Sequence, residues 1–247
     1  MTGAADRDDR AEPPWWTPRK STARRSLDRK AIVAAAREVL RTEGAIDGLS
    51  MRRIATELGT GPASLYAHVA NKDELLELLF DDVAGEIPLP DPDPARWREQ
   101  VTRLWADSRE VMARNGDISR VALGRVPVGP NTVRLAEVTM ALLRAGGVPD
   151  RSVAWAVDVV GLYVTAHAVE GSVNASHQRA GRNPDEYYAQ VNTYFTGLPA
   201  ERYPTVAALS HLVATGDGDE RFRFGLELLV GGLAAQARTS GGESSGG

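Results

Sequence analysis

The segment from Leu49 to His68 constrains the fold most tightly, because Gly59 and Pro62 leave room for only two short helices with a tight turn between them. Ser50 is placed to cap the first, whose Ile54, Ala55 and Leu58 recur at helical spacing and face inward. Gly59 ends that helix and supplies a residue free to take a positive φ where the chain turns. Pro62 suits the first position of the second helix, predicted to run to about Val69. Upstream, Ile32, Val33, Ala36, Val39 and Leu40 form one apolar stripe, with Asp28 to cap it and Gly44 to stop it. Asn71 and Glu74 come close to a capping box and open a fourth helix through Leu75, Leu76, Leu79 and Val83.

Three short helices with a glycine turn between the second and third are the parts of a helix-turn-helix. The third presents Ser64, Tyr66 and His68 around an apolar contact through Leu65 and Val69, and its small residues Ala63 and Ala67 let a backbone approach another molecule closely. With Arg52, Arg53 and Lys72 these are donors suited to phosphate oxygens and base edges. The same spacing also describes a small helical bundle with a solvated polar face.

Charge is unevenly spread. The net charge is -4, yet six basic residues stand between Arg19 and Lys30 against the single acid Asp28, and Arg37, Arg41, Arg52, Arg53 and Lys72 follow. An anion-binding end joined to an acidic body is the plain reading. The absence of cysteine excludes a disulfide framework, a thiolate metal site and a cysteine nucleophile. Residues 1–25 are rich in Pro, Asp and Arg and read as a mobile arm, in which Trp15 and Trp16 are unusual. The chain opens without an apolar segment, so no signal peptide and a cytoplasmic location are expected. Val153 to Val169 is the most apolar stretch; Asp158, His167 and Glu170 make it a poor membrane span and a better bundle helix, buried on most sides.

Prolines 88, 90, 92 and 94 forbid a helix across that stretch, which reads as a connection. Beyond it, long helices are predicted at about 95–114, 131–145, 150–178 and 219–238, and shorter ones near 117–122, 184–196 and 204–214. The expected fold is all-α: an arm (1–25), a helix-turn-helix domain (26–72), a helical ligand-binding and dimerisation domain (73–238) and a flexible Gly/Ser tail (239–247).

The stretch from Leu27 to Val83, with LSMRRIATELGTGPASLYAHVANKDELL at its centre, resembles the DNA-binding domain of the tetracycline-repressor (TetR) family. The resemblance implies an all-helical homodimer that binds a palindromic double-stranded operator, usually to repress, with each third helix in a major groove. It implies that Pro62, Ala63, Ser64 and His68 face bases, that Tyr66, Lys72, Ser50 and Arg53 hold the backbone, and that Arg52 reaches a base edge. Ala67 departs from the bulky aromatic of the tetracycline repressor, so the operator sequence does not carry over. The basic run Arg19 to Arg29 is either a minor-groove arm or a solubilising tail.

The resemblance extends weakly into the body, through Leu123–Pro127, Asp158–Tyr163 and Glu170. At the positions of the tetracycline repressor's drug- and metal-binding groups stand Pro88, Leu104, Ser108, Ala122, Val138 and Leu162; Glu170 alone is retained. A magnesium–tetracycline complex would therefore lack partners, and a more hydrophobic inducer, with no cofactor and no metal, is expected. Leu104, Ser108, Met112, Val138, Leu162, Tyr163, His167 and Glu170 are the candidate ligand residues, with Trp105 and Trp155 as further lining. Tyr163, His167 and Glu170 share one helix face, as a pocket cluster or as a satisfied buried network. Phe222, Leu226, Leu229 and Leu233 form a stripe suited to a helix pair, and Gly225, Gly231 and Gly232 to close helix approach; that helix and the one at 150–178 are expected to build a four-helix dimer interface. No paired Glu-x-x-His, P-loop, Rossmann or Gly-x-Ser-x-Gly pattern supports an enzyme. The alternatives are a DNA-binding regulator governed by a protein partner, and an activator.

Overall fold

The computed structural model describes residues 27–123, 126–181, 183–213 and 215–243. The expected N-terminal arm, with Trp15, Trp16 and the basic residues up to Arg25, lies outside them.

Among the described residues ten α-helices follow one another and there is no strand. The head consists of α1 (Arg29–Glu43), a 3-10 turn at Ile46–Gly48, α2 (Met51–Glu57) and α3 (Pro62–Tyr66). Next come α4 (Lys72–Ala84), α5 (Trp97–Arg114), a 3-10 turn at Ile118–Ala122, α6 (Pro130–Ala145) and α7 (Asp150–Arg179). The chain ends with α8 (Pro184–Thr196), α9 (Pro204–Val213) and α10 (Gly218–Glu243).

The caps explain the boundaries. The carboxylate of Asp28 accepts from the N–H of Ala31 at 2.8 Å, and Gly44 closes α1 at φ 75°. Ser50 Oγ accepts from Arg53 N at 3.1 Å at the start of α2. At its end Thr60 N donates to Ala55 O and Gly59 N to Thr56 O, the paired bonds of a Schellman turn, with Gly59 at φ 64°. Asn71 Oδ1 accepts from Glu74 N at 2.8 Å to open α4.

Three expectations need correction. The third helix stops at Tyr66 instead of continuing to Val69, because the N–H groups of His68 and Val69 both return to Leu65 O and Asn71 must be extended to cap α4. The last helix does not stop at 238 but runs on into the expected tail as far as Glu243. The apolar α7 is not buried on most sides: it packs on α5, α6 and α10 through Val153, Val160, Val164 and Ala168, while Trp155, Val159 and Leu162 face solvent. By length and composition α7 could cross a membrane.

One continuous apolar core runs from the head into the body, through Ile32, Ile54 and Leu65, then Leu75 and Leu79 of α4, then Val101, Leu104, Leu142 and Leu143. The helix α4 therefore belongs to both.

Candidate functional site

The outer face of the head is built on a small base. Leu65 of α3 is 0% exposed and Val69 just after it is 1%. Around that anchor Pro62, Ala63, Ser64 and Ala67 stand in solvent, Tyr66 is 53% exposed and His68 is half-buried. The segment after α3 is fastened at several points. Arg29 Nε donates to His68 O at 2.8 Å, Arg29 Nη2 pairs with Glu74 at 2.9 Å, and Glu74 accepts from Ala70 N at 2.6 Å. The reading helix is thus tied to the starts of both α1 and α4.

The cations differ in how free they are. Arg52 is exposed and makes no ion pair among the described residues. Arg53 is held by Glu57 at 3.0 Å and Glu43 at 3.7 Å. Lys72 Nζ donates to Ile46 O at 3.1 Å, which leaves two of its protons unspent.

The joint between head and body is polar. Arg37 of α1 reaches Asp82 at 3.2 Å, Glu86 and the Asn115 side chain, and Arg114 of α5 also pairs with Glu86 at 2.9 Å. Asp117 Oδ1 accepts from Ile46 N at 2.6 Å, and Arg120 bridges Asp117 and Asp47. The contact at Asp81 is the most telling. The helix α6 starts at Gly129-Pro130 with no side-chain cap of its own. Asp81, buried on α4, supplies it, accepting from Asn131 N at 3.0 Å and Thr132 N at 2.9 Å. A carboxylate is well placed against the positive end of a helix. Gly129 makes the approach possible, since a Cβ there would collide with the Asp81 side chain.

Beneath this joint, α4, α5, α6 and α7 line a half-open cavity of about 360 Å³. Its walls are mainly apolar, with Phe80, Trp105, Met112, Leu135 and Met140 among them. Of the expected ligand residues, Ser108, Met112 and Leu162 line it, as do Trp105 and Ala122. Leu104 is core, 1% exposed, Val138 packs against the core, and neither lines the cavity.

Tyr163, His167 and Glu170 do not line it either, because their face of α7 turns toward α10. Tyr163 stacks on Phe222 with ring centroids 5.4 Å apart, His167 meets both rings edge-on, and Tyr163 Oη donates to Phe222 O at 3.0 Å. Arg109 covers Phe222 at 4.7 Å and pairs with Asp219 at 2.6 Å. Burial, with Arg109 adding to it, pushes the His167 imidazole below its ordinary value against the opposing pull of Glu170. Burial raises the Tyr163 phenol. The cluster is therefore an inter-helix network. Gly225 lies directly beneath Tyr163, where a Cβ would strike the phenol, so close approach accounts for this glycine. Gly231 and Gly232 meet open space. Trp155 is 60% exposed and borders a shallow apolar groove between α7 and α10 with Val159, Leu228 and Gly232.

Sequence reasoning missed two residues. Asp158 lines the cavity. The signal was present, because Ala154, Asp158, Gly161 and Thr165 form a small and polar stripe along an otherwise apolar helix. Asp81 was missed because its partner lies fifty residues away; the only hint was an uncapped start at Gly129. Among the described residues no group of three His, Cys, Asp or Glu is arranged to hold a metal.

Comparison with known proteins agrees with this geometry. The model of bacterial regulatory proteins of the tetR family matches residues 32–79, and that of the tetracyclin repressor-like C-terminal domain matches residues 89–237. The chain belongs to the TetR family: it is a DNA-binding helix-turn-helix regulator of transcription and not an enzyme. It is 33% identical over 223 residues to the HTH-type transcriptional repressor DrrR1 of Streptomyces coeruleorubidus, covering 89% of this chain and 81% of that protein. Apo ActR from Streptomyces coelicolor is 42% identical, with a TM-score of 0.78 over 87% of this chain and 98% of its own. ActR in complex with actinorhodin matches with a TM-score of 0.77 and the same identity, over 85% of this chain and 97% of its own.

Proposed function

We propose that this protein binds a palindromic operator as a homodimer, represses transcription from it, and is released by a small, fairly hydrophobic ligand. One observation carries the reading: an exposed recognition helix is fastened to α4, and α4 also walls an apolar cavity. That ActR has been solved with actinorhodin supports a ligand in the corresponding body.

On this reading the head spans residues 26–72, and the ligand-binding and dimerisation domain runs from residue 73 to the end of α10 at Glu243. Pro62, Ala63, Ser64 and His68 face bases, while Tyr66, Lys72 and Ser50 hold phosphates. Arg52, already free, reads a base edge, and Arg53 exchanges a carboxylate for the DNA backbone. Dimerisation covers the apolar groove of α7 and α10, which explains why Trp155 and Leu228 stand in solvent in a single subunit. The two recognition helices then lie roughly 34 Å apart, one turn of DNA. Ligand in the cavity moves the wall formed by α6, and the Asp81 cap carries that movement into α4 and the head. Such a regulator acts where the DNA is, in the cytoplasm.

The test is an electrophoretic shift of a promoter fragment from the protein's own gene neighbourhood, repeated with hydrophobic compounds that raise the melting temperature. Retarded DNA released by such a compound is the expected result. A monomer in the ultracentrifuge at micromolar concentration, or ligand affinity unchanged by saturating operator, overturns the mechanism.

A further inference from the structure

The polar groups around the cavity are unbalanced. Three lining hydroxyls spend their protons on their own helices: Ser108 Oγ donates to Leu104 O at 2.7 Å, Thr132 Oγ1 to Gly129 O at 2.8 Å and Thr139 Oγ1 to Leu135 O at 2.8 Å. Each then faces the cavity as an acceptor only. Asp158 joins them at the rim, exposed to solvent and forming no hydrogen bond or ion pair with any described residue. No described lining residue carries a positive charge, and only Thr165 and Trp105 keep a side-chain donor to offer.

We infer that the ligand is an apolar molecule bearing a protonated amine, with its hydrocarbon body among Trp105, Met112 and Met140 and its ammonium at the Asp158 carboxylate. This rests on the reading of the cavity as the ligand site. A neutral apolar body satisfies the walls but leaves the rim carboxylate losing water without compensation. An anionic ligand adds repulsion in a space where no described lining residue carries a cation to answer it. An ammonium provides three donors and the opposite charge at Asp158, the uncommitted ion among the described lining residues. Because Asp158 has no hydrogen-bond or ion-pair partner among the described residues, its replacement removes no polar contact seen among them.

The experiment uses three probes on one aromatic frame: 9-(aminomethyl)anthracene, a cation at neutral pH; 9-anthracenemethanol, neutral; and 9-anthracenecarboxylate, an anion. Each is titrated calorimetrically into the full-length protein without DNA. The amine is expected to bind roughly tenfold more tightly than the alcohol, and the carboxylate more weakly than either. Asp158→Asn should bring the amine down to the alcohol while leaving the alcohol within about twofold of its original affinity. Asp158→Lys should reverse the order in favour of the carboxylate, a result that misfolding cannot produce. Equal binding of amine and alcohol, or a preference for the amine that survives in Asp158→Asn, overturns this inference and leaves the cavity reading standing. Failure of all three probes, or binding undiminished when Met112→Trp fills the cavity, overturns the cavity reading together with the inference.

Discussion

The recognition helix α3 has 5 residues and is held by Leu65 and Val69; α7 has 30 residues, touches three other long helices, and still leaves Trp155, Val159 and Leu162 uncovered. The small element is fully committed in its interior and spends its surface on polar groups. The large one has interior to spare, some of it a cavity and some an open face. A DNA reader needs a rigid outer surface, so its few buried contacts are all essential. A ligand sensor needs empty space, and space can only be left where neighbouring contacts are numerous enough to tolerate it.

Leu65→Ala tests the first half most severely. It should cost about 2–5 kcal/mol in urea unfolding and abolish operator binding, because nothing else in α3 is buried. The matching truncation in the body, Leu135→Ala, enlarges a space that already exists and should cost clearly less. Equal losses would break the contrast between a committed head and a permissive body.

The surface of the head should show graded effects. Arg52→Ala is expected to weaken operator binding by about 1–3 kcal/mol by fluorescence anisotropy, with the circular dichroism spectrum unchanged. Arg53→Ala should cost less, since Arg53 must give up Glu57 and Glu43 before it can hold DNA. A larger loss at Arg53 would mean that the carboxylates position it for DNA and do not compete with it.

What could be read in the sequence follows the same division. Every cap of the head is local: Asp28, Ser50, Gly59 and Asn71 act within a few residues, so periodicity and turn chemistry found them. The body is decided by helix-to-helix contacts that no short window contains. Tyr163, His167 and Glu170 were correctly placed on one face of α7, but whether that face met a cavity or α10 depended on Phe222, about sixty residues away. Leu104 and Val138 were reached by alignment to a distant relative and proved to be packing residues. The early stop of α3 follows from the demands of the next helix, which its own sequence does not carry.

Asp81 lies where the two regimes meet, and Asp81→Ala sharpens the comparison. Removing the cap of α6 should cost about 1–2 kcal/mol in stability. Its larger consequence should be on communication. Ligand and operator affinities measured separately should change little, while their mutual weakening, typically about 1–3 kcal/mol, should shrink toward zero. Full coupling in a destabilised Asp81→Ala protein would mean that the signal reaches the head through the apolar core shared by α4 and α6, without this carboxylate.

The smallest effect concerns acidity, and it belongs to the body alone. Burial against Phe222 and Tyr163 lowers the His167 imidazole below its ordinary 6.5, with the nearby Arg109 charge acting in the same direction. The folded chain therefore takes up this proton less readily than the unfolded chain does. Above the unfolded value neither form is protonated and the group contributes nothing. As the pH falls through 6.5, the unfolded chain gains the proton first and stability drops, until the folded value is also passed. Between about pH 7.5 and about pH 5.5 the melting temperature of the protein should fall more than that of His167→Gln, whose side chain stays neutral. The exposed carboxylates of Glu38 and Glu99, lowered by hydrogen bonds to Arg41 and Arg96, lose their contribution only at lower pH and equally in both proteins. Identical slopes for the two proteins would mean that Glu170 offsets the burial in full, and that the α7–α10 contact tolerates a charged imidazole.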